Sequence, residues 1–132
     1  MGEQSKNKAQ VQKAQAKQTG LNAKAVMRGV RCSQFKLNLV AKMIRGLSAE
    51  KALTALKFSP KRIATDVRKV LLSAIANAEH NKGADPDRLF VTEASVGRAF
   101  VLRRLDVKGR SRSGRIEKPY SHLRVVVSEM EV

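Results

Sequence analysis

Between Lys108 and Arg115 the chain reads KGRSRSGR, four cations separated by glycine and serine. Guanidinium forks bind phosphate oxygens bidentately, and small residues between them let the backbone approach a groove closely. Residue types in this order suit a phosphate clamp rather than bond-making chemistry. The wider run from Arg98 to Lys118 holds eight basic and two acidic residues. So many cations exclude it from a core, because a buried unpaired charge is too costly. Groups for other chemistry are scarce. His80 and His122 are the sole histidines and Cys32 the sole cysteine, and none has a partner at metal-ligand spacing. The chain has no Walker loop, no nucleophile elbow and no dinucleotide fingerprint. The expectation is therefore no enzyme, no catalytic residue, no metal and no cofactor. His80 follows an acid near a predicted helix end, where an imidazole can meet exposed carbonyls or an RNA phosphate.

Composition points the same way. The 132 residues carry 27 Lys and Arg against 11 Asp and Glu, a formal net charge of +16. Such an excess opposes compaction by self-repulsion and favours a polyanionic partner, with nucleic acid first. Hydrophobic residues make up 42%, enough for a core, yet the aromatics are four Phe and one Tyr. Extended stacking platforms for single-stranded bases are thus disfavoured, and phosphate contact with shape complementarity is the expected mode. A single cysteine allows no intrachain disulfide and fits a reducing, cytoplasmic setting. No stretch reaches the length of a membrane span, and no secretory h-region opens the chain, so neither membrane insertion nor export is expected.

Several elements must hold the basic run in place. Residues 1–22 are rich in Gln, Lys and Ala and lack material for a core, so they read as a disordered basic tail. Residues 24–31, KAVMRGVR, read as a short edge strand with Val26, Arg28 and Val30 on one side. Ser33 then starts a helix whose Leu37, Val40 and Ile44 form an apolar stripe ended by Gly46; Lys36, Lys42 and Arg45 fall mostly off it. Ser48 is placed to cap a second helix, with Glu50 in its first turn and Ala49, Ala52, Leu53 and Leu56 inward. Ser59-Pro60 reads as the start of a third helix of about 22 residues and about 33 Å. Its stripe runs from Ile63 through Val67, Leu71 and Ala74 to Ala78. After the turn at Asp85-Pro86-Asp87 come strand-forming runs at Leu89–Val96 and Ala99–Leu102, the basic tip, and a final strand from His122 to Ser128. There Leu123, Val125 and Val127 alternate with Arg124 and Ser128.

Strand, three helices and a long hairpin make an α+β domain: three helices packed on a small antiparallel sheet, with a protruding basic β-hairpin at about residues 97–121. Residues 23–132 are expected to form one nucleic-acid-binding domain. Each leg of the arm, about 12 residues, would reach about 40 Å, against a radius of gyration of about 13 Å for a domain of this size. A two-stranded ribbon alone in water is marginal, so its order should depend on its partner. Phe100, Val101 and Leu102 are apolar within the arm and are expected to pack where it leaves the domain, with wedging against bases as the alternative. A DNA-bending architectural protein, gripping the minor groove with a basic β-arm, is the alternative function. Such proteins usually dimerise through an apolar face. One arm beside a well-capped helical core fits a monomer embedded in RNA better.

Long motifs now connect these elements to a known family. LVAKMIRG spans Leu39 to Gly46, SAIANAEHN spans Ser73 to Asn81, and VVVS ends the last strand at Ser128 after Ser121-His122. Over about residues 24–129 the chain resembles the bacterial large-subunit ribosomal protein L twenty-two family. The resemblance implies a structural constituent of the large ribosomal subunit that binds large-subunit (23S-type) rRNA and aids assembly. It also implies neighbouring ribosomal proteins as partners, and a hairpin whose tip lines the nascent-peptide exit tunnel. No homo-oligomer is expected. Leu102-Arg103-Arg104 match the family's tunnel-facing triplet, Arg110, Arg112 and Arg115 its basic tip, and Ser33 with Lys36 the Ser-x-x-Lys opening its first helix. Val107, Ser111 and Asp106 depart from residues common in the family. The candidate rRNA-binding set is Lys24, Arg28, Arg31, Ser33, Lys36, Arg45, His80, Arg98, Lys108, Arg110, Arg112, Arg115 and Lys118. Leu102, Arg103 and Arg104 are the candidate tunnel-lining residues.

Overall fold

Leu37, Val40, Ala41 and Ile44 recur at helical spacing and all are buried in Gln34–Ile44, helix α1. Ser33 caps it, its hydroxyl accepting from the Lys36 backbone N–H at 3.4 Å. Helix α2, Ala49–Phe58, buries Ala49, Ala52 and Leu56, and α3, Ala64–Lys82, buries Ala64, Val67, Val70, Leu71, Ala74 and Ala78. The computed structural model describes residues 18–130. Strand β1 (Gln18–Val30) precedes the helices, and a 3-10 turn at Pro86–Arg88 follows them, leading into β2 (Leu89–Val107) and β3 (Ser113–Met130). The three strands form one antiparallel sheet in the order β1-β3-β2. Leu123, Val125 and Val127 of the central strand are fully buried between the neighbouring strands and the helices. Fully burying each such side chain contributes about 1.5–3 kcal/mol. The α+β class expected from the sequence is the one observed.

Several boundaries differ from the sequence reading. Strand β1 begins at Gln18, so residues 18–22, assigned above to the tail, pair with the end of β3; the remainder of that tail lies outside the described residues. Ser59-Pro60 does not open α3. Ser59 is the C-cap of α2, its N–H bonding to the Leu56 carbonyl. Residues 61–63 then make a tight turn in which Ala64 N–H reaches the Lys61 carbonyl at 3.0 Å. The helix is therefore 19 residues and about 28 Å long. Ser48 stands at the N-cap of α2 without a side-chain cap bond. Its backbone is held against β2 instead: Gly46 N–H bonds to the Val91 carbonyl, and Val91 N–H to the Leu47 carbonyl, each at 2.9 Å. Ser128 is not outward and wet but buried, its hydroxyl donating to Thr92 Oγ1 at 3.4 Å.

The largest correction concerns β1. Val26 and Val30 do not share a face: Val26 is 50% exposed and Val30 3%. Between Met27 and Val30 the register against β3 slips by one residue, and Gly29 there has φ +69°. The extra residue inverts the alternation. It places Ala23, Ala25 and Val30 inward, and Lys24, Val26 and Arg28 outward. Gly29 also donates its N–H to His122 Nδ1 at 3.2 Å, fastening the bulge to the central strand.

A methyl group added at Gly29 would meet nothing within 4 Å, so the cost of Gly29→Ala is conformational alone. It should lower stability by about 1–2 kcal/mol in urea unfolding. An unchanged midpoint would mean that the bulge relaxes to a geometry open to any residue.

Candidate nucleic-acid interface

Strands β2 and β3 stay paired beyond the sheet, from Arg98 opposite Ser121 to Val107 opposite Ser113. The run from Arg98 to Val107 extends about 33 Å. No residue from Arg98 to Tyr120 is buried. The ribbon thus has no core, and its side chains divide between two faces by the period of two. Arg103, Leu105 and Val107 lie opposite Glu117, Arg115 and Ser113 on one face; Leu102, Arg104 and Asp106 lie opposite Lys118, Ile116 and Gly114 on the other. Each face therefore carries cations, and each carries apolar groups with no cover, Leu105 at 71% exposure among them. The Leu102-Arg103-Arg104 triplet is split: Leu102 and Arg104 share a face and Arg103 points away from them. Two acids moderate the charge. Glu117 lies 3.8 Å from Arg103, and Asp106 lies 2.7 Å from Lys108.

The tip and the waist of the ribbon have their own devices. At the tip Arg112 N–H bonds to the Gly109 carbonyl at 3.4 Å, and Arg110 and Ser111 between them have φ +59° and +56°. Left-handed conformation at two side-chain-bearing residues costs about 1–2 kcal/mol each, and it turns Arg110 and Arg112 out to solvent. At the waist an extra residue of β2 sits between Arg98 and Val101. Phe100 there stacks on Tyr120 with ring centroids 4.5 Å apart and planes 17° apart. Of the apolar residues at the root of the arm, Phe100 packs on the partner strand while remaining half exposed.

Two concave surfaces gather several of the remaining cations. Lys118, far along the sequence, joins Arg31, Ser33 and Lys36 in lining one cleft of about 300 Å³ at the base of the arm, together with Arg62 and Glu117. Two bonds fix its walls. Buried Ser121 donates its hydroxyl to the Cys32 carbonyl at 2.6 Å, and Arg62 donates to the Arg31 carbonyl at 3.2 Å. The second surface, about 890 Å³, brings Lys24 beside Lys82 and Arg124 with Asn22, Asn77 and Asn81. Asn77 bonds to the Lys24 carbonyl at 3.1 Å and ties α3 to β1 there. Arg28 is exposed on β1, and His80 is exposed in the last turn of α3. Neither belongs to these two surfaces.

Arg45 is different in kind. Its Nε donates to the Ala94 carbonyl and one terminal nitrogen to Asn38 Oδ1, both at 2.8 Å. The Nε bond ties the end of α1 to β2, and the bond to Asn38 holds the guanidinium in place. Sequence reasoning missed Arg62, Lys82 and Arg124. Arg124 was legible as the outward residue between buried Leu123 and Val125. Arg62 was hidden by placing it inside a helix when it stands in the turn before one. Among the described residues no three His, Cys, Asp or Glu side chains are grouped to hold a metal ion, and no helix is long and apolar enough to cross a membrane.

A small α+β domain that carries a coreless cationic ribbon and basic clefts is built for a polyanion. Residues 25–128 match the family model of ribosomal protein L22p/L17e, and the chain belongs to that family. It is similar to the large ribosomal subunit protein uL22 of Beijerinckia indica, 58% identical over 108 residues that cover 82% of this chain and 84% of the relative. The proteins of the same name from Acidiphilium cryptum and Sinorhizobium medicae are 56% and 51% identical; they span 83% and 90% of this chain, and 72% and 92% of their own lengths. The chain is thus a structural ribosomal component and not an enzyme. The DNA-bending alternative falls with that membership.

Arg45 is exposed like the other cations, but its two hydrogen bonds to Ala94 and Asn38 set it apart from them. Arg45→Ala should lower stability by about 1–2 kcal/mol in urea unfolding while leaving RNA affinity nearly unchanged. Arg115→Ala should do the reverse. Equal effects of the two variants on stability would contradict this division.

Proposed function

We propose that the chain is a structural constituent of the large ribosomal subunit in the bacterial cytoplasm. It binds large-subunit rRNA, aids assembly, and directs its ribbon toward the nascent-peptide exit tunnel. The observation that carries this reading is a ribbon about 33 Å long with cations on both faces and no buried residue of its own. Such an element gains order from an anionic cleft that encloses it. Arg98, Lys108, Arg110, Arg112, Arg115 and Lys118 hold phosphates along the arm, and Lys24, Arg28, Arg31, Ser33, Lys36 and His80 do so around the domain. Arg62, Lys82 and Arg124 extend that set, while Arg45 contributes chiefly to the fold. Neighbouring ribosomal proteins share the surroundings.

The split triplet favours separate surroundings for the two faces. Leu102 and Arg104 turn one way and Arg103 the other, so one face meets rRNA where the opposite face meets the lumen and the nascent polypeptide. Arg103 has a neighbouring carboxylate in Glu117, whereas among the described residues Arg104 forms no ion pair.

Replacing Arg110, Arg112 and Arg115 together by alanine should weaken binding to large-subunit rRNA by about tenfold or more at low salt. The circular dichroism of the helical domain should not change, because these side chains are exposed. Unaltered affinity, or global unfolding of the variant, would contradict the reading.

A further inference from the structure

Phe35 stands on the outer side of α1 with 74% of its surface exposed, and Leu39, one turn on, is 39% exposed. The two line a groove of about 490 Å³ together with Ile63, and every charged side chain around it is cationic: Lys36, Lys61 and Arg62. Low aromatic content excludes a broad stacking surface but leaves room for one platform. The groove is continuous with the cleft at the base of the arm, because Cys32, Lys36 and Arg62 line both. An RNA strand whose phosphates lie in that cleft brings its next nucleotide to Phe35.

We propose that this groove receives one unstacked base of the rRNA strand held at the base of the arm. Phe35 supplies the stacking face, Leu39 and Ile63 the walls, and Lys61 the contact to the following phosphate. The inference rests on the rRNA-binding reading above. Hydrogen-bond chemistry separates a nucleotide from a protein segment as the occupant. The charged side chains of the groove are donors, with no carboxylate or amide among the lining residues. A nucleotide presents acceptors in its phosphate oxygens and base edge, which those donors satisfy. An inserted peptide would bring backbone N–H groups that need acceptors.

Base-specific chemical probing of full-length large-subunit rRNA, with and without the intact chain, tests this. The wild-type chain should protect a small group of unpaired bases. Phe35→Ala should lose protection at one of them and weaken binding by about tenfold with the salt dependence unchanged, while Phe35→Tyr should retain both. Phe35→Gln serves as a second removal of the ring should the alanine variant fold poorly. A footprint and affinity unchanged by loss of the ring would overturn the assignment. It would also be overturned if, in assembled subunits, the ring cross-linked to an acidic protein segment instead of RNA. Failure of the wild-type chain to bind the rRNA at all would overturn the parent reading and this one together; loss confined to the Phe35 variants' base contact supports both.

Discussion

Leu123, Val125 and Val127 set the register of β3 against both of its neighbours, and the antiparallel pairing of β3 with β2 continues from the core sheet into the arm. The arm has no core of its own to hold it in line. Slippage by one residue would exchange its two faces. It would exchange Leu102 and Arg104 with Arg103, and move Lys118 to the opposite side. The bulge between Arg98 and Val101 is the one place where the ribbon departs from the sheet's register, and the Phe100–Tyr120 stack packs against it. Side-chain burial in the domain therefore decides which charges the distant ribbon presents on which side.

The helices solve a complementary problem. A chain with net charge +16 must bury enough apolar surface to outweigh its own repulsion. It does so with small and branched aliphatic side chains, Ala41, Ala52, Ala74 and Ala78 among them, which let three helices approach one face of the sheet. Cations are left on the rims of that assembly. The links between elements then convert scattered cations into sites: Ser121 to the Cys32 carbonyl, Arg62 to the Arg31 carbonyl, Asn77 to the Lys24 carbonyl. Each is a side chain grasping a backbone carbonyl of β1 or of the segment that follows it.

Much of the fold was legible because period and composition agree over long stretches. The stripe Leu37, Val40, Ile44 and the alternation Leu123, Val125, Val127 are each sustained and apolar, and both are buried as read. What failed did so at single residues. Gly29 reads as an ordinary strand position, yet it hosts the bulge that inverts Val26. Ser59-Pro60 carries the local chemistry of a helix start but serves as the exit of the preceding helix, which tertiary packing decides. The candidate site shows the same limit. Cations in one continuous run were found from charge alone. The cleft of Arg31, Lys36, Arg62 and Lys118 joins three segments of chain and is created by the fold. The exposure of Phe35 was legible in principle, since 3.6 residues per turn put it opposite the stripe of Leu37, Val40 and Ile44; the cationic groove around it is made by the fold.

The central claim is that an extended cationic ribbon and the clefts at its base bind RNA chiefly through phosphates. Affinity of the wild-type chain for large-subunit rRNA, measured across a range of salt concentrations, tests it most directly. Neutralising about six phosphates should give a slope of about −4 to −5 in log affinity against log salt. A slope near zero would contradict the account.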